Sequence, residues 1–548
     1  MSSSLTWDEL RGAELYWLLS IVLRGERYRF STVDLDVTQG SNSLQYVSGL
    51  APLDVVDAVP LPGGGVSDRS ADIELLFTRD TAAGWAAMAD GVVDMGDGTA
   101  ELALWKSGTD FDRRQVVLSG MMESLEYGAF DEPVSFSLVE SPWEAGGKVI
   151  PEDSAQVSAD TWPLSANSGT HAIGDGIDEA WYPTVIGHPG TGPAGGSYQA
   201  TPALIVEMPT SGDNATVSCT VLVAGHATRA ATEGASLTLH NMTAGTTVSI
   251  GCSLIQDNLG RTVSAIQTAS PPTIADGAEL WISWPTDGGL PSMRSAATMR
   301  GAGEVLTWLL SQTGLSVDMD SLRALETTLA GVKIDTHINE QTDPWDIVED
   351  LLGLLPVTWW VGPRGLTAVR WPYDATPADA LAHIDTSTGC HRISSVSRSS
   401  ASQVVNRLGI AYATNASTDN HIARLVYAPS KVPGESEVQL NPYSMTSERL
   451  YGSRQAEDIT TDLIADTASA RSVLDWRIQW ESATRESVSF DCPMPFLSLN
   501  PGAVVTVTDS SLGWSERVAI VTSVLRTPGP STELVVVTVP NFIRDAPL

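Results

Sequence analysis

Four cysteines, Cys219, Cys252, Cys390 and Cys492, are the first residues that could carry chemistry, because thiolates bind soft metals and iron–sulfur clusters. They lie far apart, with no C-x-x-C pair among them. That spacing favours four buried thiols, since a free cysteine behaves as a small hydrophobe. The sharper alternative is a metal or iron–sulfur site drawn from distant segments, with these four as ligands. The eight histidines offer less. Cys390 and His391 are adjacent, and neighbours in a strand point to opposite faces, so they cannot form a dyad. The stretch IDTHIN places Asp335 and His337 on one strand face, where a hydrogen-bonded polar surface is favoured over a metal site. Asp94–Gly98 (DMGDG) is acidic but lacks EF-hand spacing and reads as a solvated turn. Gly187–Gly196 lacks the GK[ST] of a phosphate loop and no helix follows; it reads as a flexible surface loop. No H-E-x-x-H, G-x-S-x-G or Walker motif occurs. With 66 acidic residues a carboxylate pair for glycoside hydrolysis can always be picked out, so it carries little weight. The expectation is a protein with no catalysis and no cofactor.

Seventeen tryptophans are many. Trp17, Trp105, Trp308, Trp359, Trp360, Trp476 and Trp480 fall in regular elements and are expected as core or interface anchors. Trp162, Trp181, Trp281 and Trp284 lie in a more turn-rich stretch. Their sharper reading is an aromatic wall contacting glycan.

The elements that must position these residues are mostly strands. Asp343–Trp371 is the clearest unit. Asp343 suits a helix N-cap and Pro344 the first helical position. Ile347, Val348, Leu351, Leu352 and Leu355 form one apolar face, and Pro356 ends the helix. A tryptophan-rich hairpin follows, Val357–Val361 and Leu366–Trp371. Before this unit, two amphipathic helices are predicted, one ending near Gly314 and one over Asp320–Ala330. Residues 1–145 read as a β domain, with strands at Leu15–Leu23, Arg27–Ser31, Ala71–Phe77, Ala100–Trp105, Gln115–Leu125 and Pro133–Glu140, and a short helix at Thr81–Ala89. Residues 146–298 begin with long loops. Short strands follow at Ala203–Met208, Ala215–Ala224, Ser236–His240, Thr246–Leu254, Thr262–Ile266 and Glu279–Trp284, a β-sandwich pattern. Residues 299–378 form the small α+β module. Residues 379–548 return to strands, among them Arg392–Val396, Gln403–Ala413 and His421–Tyr427. A long helix is predicted over Ile459–Gln479, and four strands close the chain. The fold class is therefore mainly β, a multidomain α+β protein.

Bulk composition narrows the function. A chain of 548 residues implies roughly three to five domains. Charged residues make up only 18%, below the ~25% of ordinary soluble proteins, which suits large contact surfaces. The formal charge of −35 repels nucleic-acid phosphates, so sequence-specific nucleic-acid binding is not expected. The same field suits a wall past which DNA slides. Residues 1–10 lack a basic, then apolar, leader pattern, and no apolar run reaches the ~18 residues of a membrane span.

Taken in order, four stretches resemble the tail-hub or baseplate-hub proteins of long-tailed, siphovirus-type bacteriophages. They are ELYWLLSIVLRGERYRFST with Tyr46–Leu50; RRQVVLSGMMESLEYGAFDEPVSFSLVESPWE; GAGEVLTWLLSQTGLSVD with DPWDIVEDLLGLLPVTWWVGPRGLTAVRW; and Ala468–Pro540 with LNPGAVVTVTDSSLGW. The resemblance implies tail-tube-like β-barrel domains at both ends of the chain, with residues 146–298 as an inserted, decorating domain. It implies a homotrimer forming a pseudo-sixfold ring in the virion tail tip, assembled in the host bacterial cytoplasm. The ring would meet the tail tube or distal tail protein above and a central fibre, spike or receptor-binding protein below. The tape measure protein would occupy its lumen, which passes DNA during ejection and host cell entry. Three copies would carry a charge on the order of −105. The alternative is a tail-tip receptor-binding protein that recognises host glycan through residues 146–298.

Overall fold

The computed structural model describes residues 14–23, 26–62, 69–76, 98–127, 134–140, 149–152, 154–190, 200–210, 219–267, 274–285, 288–295, 297–362, 365–389, 391–415, 420–431, 437–493, 499–526 and 531–540. It is mainly β, with several sheets and six α-helices among these residues. The Thr81–Ala89 helix and the loop residues 94–97 and 191–196 lie outside them.

The first sheet holds β1 (Leu15–Leu23), β2 (Glu26–Ser31), β3 (Leu35–Gln39), β4 (Asn42–Ser48), β6 (Arg69–Leu75), β7 (Thr99–Lys106), β8 (Gln115–Tyr127) and β9 (Val134–Glu140), in the order β3-β4-β2-β1-β7-β8-β9-β6. Strand β1 is apolar along its length because both of its faces are covered. Trp17, Leu19 and Ile21 enter one core with Ile73, Leu102 and Leu138. Leu18, pointing the other way, joins Val37, Tyr46, Trp105 and Phe111. Strand β5 (Val55–Ala58) leaves this sheet and is described below.

The second unit holds β10 (His171–Ala172), β12 (Thr201–Pro209), β13 (Thr220–Ala224), β14 (Ser236–Asn241), β15 (Thr246–Gly251), β16 (Ser253–Gln256), β17 (Thr262–Gln267) and β18 (Leu280–Ser283), with the short helix α1 (Arg229–Glu233). Its order is β15-β14-β18-β12-β13-β17-β16. The single strand expected over Thr246–Leu254 breaks at Cys252, whose buried side chain sits where β15 turns into β16. Strand β12 also serves both halves, pairing β18 through Thr201–Ala203 and β13 through Leu204–Glu207. Two strands shared between the layers close the sandwich at both edges.

The central module packs α2 (Ala302–Thr313), α3 (Met319–Thr328) and α4 (Pro344–Leu354) with the hairpin β20 (Val357–Gly362) and β21 (Gly365–Arg370). The Asp343 side chain accepts from Trp345 N at 2.8 Å, with Pro344 in the first turn. Trp345 stacks on Trp359 with centroids 4.6 Å apart. Strand β19 (Thr336–Ile338) pairs with β11 (Thr184–Ile186), which ties this module to the unit before it.

The last region has two sheets around one helix. Strands β24 (Leu408–Asn415), β25 (Asn420–Ala428), β26 (Val438–Leu440) and β27 (Ile459–Thr460) form the smaller. The larger has the order β22-β29-β30-β31-β28-β23, from β22 (Ala382–Asp385), β23 (Arg392–Arg398), β28 (Glu486–Pro493), β29 (Val504–Asp509), β30 (Trp514–Arg526) and β31 (Ser531–Thr538). The helix expected to begin at Ile459 starts later. Ile459 pairs with Ile410 as a strand, and Asp466 accepts from Ser469 N, so α6 spans Thr467–Glu481. Ala470, Val473, Leu474 and Ile478 pack on the smaller sheet. Trp476 and Trp480 join Trp371, Ile520 and Val537 on the larger. The strand expected from Gln403 begins only at Leu408. Helix α5 (Pro442–Tyr451), capped by Asn441, was signalled by an Asn-Pro pair that the strand pattern around it obscured.

Strand β5 completes the larger sheet. It pairs antiparallel with Ser523–Arg526 at the end of β30, and Val59 N donates to Thr522 O at 2.9 Å. A segment from the start of the chain is thus built into the sheet at its end.

Candidate functional site

The residues singled out for chemistry do not converge. Cys219 and Cys252 belong to the core of the second unit, and Cys492 to the core of the larger C-terminal sheet. Burial pushes the thiols of Cys252 and Cys492 up to about 12, so both stay protonated. Cys390 lies outside the described residues. Among the described residues no three His, Cys, Asp or Glu come together as a metal site. No described helix is long and apolar enough to cross a membrane.

Of the four tryptophans expected as a glycan wall, burial removes two. Trp162 and Trp284 are enclosed, donating to the Tyr182 hydroxyl at 2.8 Å and to Thr201 Oγ1 at 2.7 Å. A fully enclosed indole cannot meet a ligand. Trp181 and Trp281 are half-buried. Trp281 donates to Glu279 Oε1 and meets the His337 ring edge-on, 6.4 Å between centroids.

One polar assembly joins the second unit to the central module, and a second lines a cleft between them. Asp335 is wholly buried and takes a bidentate ion pair from Arg300, 2.6 Å to each oxygen, plus His188 N at 2.8 Å. Residues 187–190 are buried against it, so this part of the glycine-rich run is no surface loop. Gly187 has φ +70 and approaches so closely that a Cβ would lie 2.2 Å from Ile334 O. Asp335 and His337 therefore serve a junction. His337 is pushed down to about 4, with burial the main cause.

The second assembly lines a cleft of about 510 Å³ between the second unit and helix α2. Residues 149–152 and 154–155 form one side, Tyr182, Thr184, His226 and Arg261 the floor, and Trp308 with Gln312 the far wall. Arg261 is fully engaged. It pairs with Asp257 at 2.7 Å, donates to Tyr182 Oη at 3.2 Å and to the Ser154 carbonyl, and lies over the Tyr182 ring. His226 Nε2 accepts from Val185 N at 3.0 Å, and Nδ1 donates to Ala227 O at 3.2 Å, which fixes a neutral ring. Burial pushes His226 down to about 4. Sequence reasoning missed this cleft because its lining comes from six separated stretches. Trp308 was expected as a core or interface anchor, not as the wall of a cleft.

Residues 437–522 match the model of the Phage-tail_3 family, described as "Putative phage tail protein". Over this segment the chain is similar to that phage tail family. It runs from β26 through α6 into β30, the part of the fold that α6 organises. No curated protein sequence matches the chain. The tail protein from Neisseria meningitidis is similar over 95% of this chain and 96% of its own, at 11% identity and TM-score 0.36. A 43 kDa prophage tail protein from Shewanella oneidensis is similar over 96% and 98%, at 10% identity and TM-score 0.35. A chain of the native gene transfer agent virion is similar over 70% and 89%, at 9% identity and TM-score 0.41. Likeness at that level leaves the assignment to the family match.

Proposed function

We propose that the protein is the structural hub of a phage tail tip, acting by geometry and without catalysis. Three chains would form a pseudo-sixfold ring that continues the tail tube, anchors a distal fibre or spike and passes DNA. The observation that carries this is the tail-family match at 437–522, which falls on the C-terminal sheet region into which β5 from the first region is built. One chain thereby presents two large sheets joined at a fixed strand, as a ring with two domains per subunit requires. The charge of −35 per chain suits a conduit for DNA, because like charge keeps the duplex from adhering. Ring closure would be cyclic, through unlike surfaces of neighbouring copies.

The test is the symmetry of the chain in an intact tail, read by electron cryo-microscopy, together with its mass in solution. Three copies about the tail axis beside a sixfold ring are expected. A chain that stays monomeric at high concentration, with and without its neighbouring tail proteins, would overturn the reading.

A further inference from the structure

The cleft between the second unit and α2 has the size of small-molecule sites, ~300–1,000 Å³, and lies at a junction between folded units, where such sites concentrate. Its lining separates into engaged and unengaged groups. Arg261, Tyr182 and His226 spend their hydrogen bonds internally. Four others make no hydrogen bond through these atoms among the described residues: the exposed Glu152 carboxylate, the Thr184 hydroxyl, the Trp308 indole N–H and the Gln312 side-chain carbonyl. Thr184 is only 9% exposed, so its free hydroxyl faces a confined space. Trp308 is half-buried, anchored on the central core.

These groups define the ligand. An anion is disfavoured, because the lining's one cation, Arg261, is already neutralised by Asp257, while Glu152 and the chain's net charge repel it. An acyl chain is disfavoured, because it would strip water from four polar groups and return no hydrogen bonds. What remains is a molecule with an apolar ring face for the indole and hydroxyls for a carboxylate, an amide carbonyl and a threonine. We propose that this cleft binds a neutral, hydroxyl-rich glycan of one or two hexosyl units, with Trp308 as its platform and Glu152, Gln312 and Thr184 as its polar contacts. The site is complete within one chain and does not rest on the hub reading. Its loss would not disturb ring formation, and a monomer would still carry it.

The test uses the full chain and a panel of glucose, galactose, N-acetylglucosamine, rhamnose, maltose, lactose and chitobiose, by saturation-transfer NMR and titration calorimetry. At least one member should bind in the millimolar range or tighter. Trp308→Ala should weaken binding about tenfold or more, ~1.4 kcal/mol. Because Trp308 also packs on the core, Glu152→Gln and Gln312→Ala serve as milder variants; each should weaken binding severalfold with an unchanged unfolding temperature. The proposal is overturned if no panel sugar binds, if sialic acid or inorganic phosphate binds in preference, or if a bound sugar is indifferent to all three substitutions.

Discussion

The two large sheets solve the same problem differently. In the first, the strand at one margin, β3, is folded into a second core through Val37, beside Leu18, Tyr46 and Trp105. The sheet covers its second face with its own residues. In the C-terminal sheet that task falls to α6, with Trp476 and Trp480, and to Trp371 from the central hairpin. Its marginal strand β23 is left open, with Ile393 alone of its seven residues more than slightly covered. The first sheet covers both faces itself, whereas the last depends on the central module, and among the described residues no further strand pairs with its margin at β23. An unpaired edge in a stable protein is a place for pairing.

The largest effect should come from Trp476→Ala. It removes a buried indole whose Nε1 donates to Leu354 O at 2.7 Å at the end of α4. A loss of ~3–5 kcal/mol is expected. Denaturant unfolding followed by hydrogen exchange should show the central module and C-terminal sheet loosening together, with the first sheet still protected. Uniform loosening would remove the distinction between the two sheets.

Next comes Asp335→Ala, which leaves Arg300 half-buried without its bidentate partner. Breaking such a pair costs ~3–5 kcal/mol at full burial; here the part-exposed arginine recovers some of that from water. Limited proteolysis should then cut near residues 187–190 first. Val59→Pro removes the donor to Thr522 O, a net loss of ~1 kcal/mol or more. Calorimetry should resolve separate transitions for the two sheets.

Acid should act at the junction of the second unit. His226 and His337 titrate at about 4 in the folded chain against 6.5 unfolded. The unfolded chain therefore takes up protons first. Their contribution to stability is intact above pH 6.5 and falls away as pH drops from 6.5 towards 4. His226→Gln should flatten the decline of unfolding temperature across that window. Smallest of all on the isolated chain should be Val396→Lys on β23, an exposed position, within about 0.5 kcal/mol. If the open edge serves assembly, this variant should fold normally and fail to enter tails.

Much of the fold is legible where local rules suffice. The Asp343-Pro344 cap and the hairpin after Pro356 follow from turn chemistry, and β1 from its unbroken apolar run. The helix expected over Ile459–Gln479 loses its first residues because a tertiary pairing with Ile410 makes Ile459 a strand. The cleft was illegible for the same reason at longer range. Thr184, Arg261 and Trp308 have no shared period; the β11–β19 pairing brings their units together. Trp162 shows the converse, since turn-rich surroundings suggested exposure that packing denies.

The exchange of β5 into the far sheet bears on how the polypeptide is made. Residues 55–58 leave the ribosome long before their pairing partner, residues 523–526. A prematurely terminated product would strand β5 with its ladder unmatched. Only molecules translated through β30 would complete that ladder, a built-in check on how far synthesis has run.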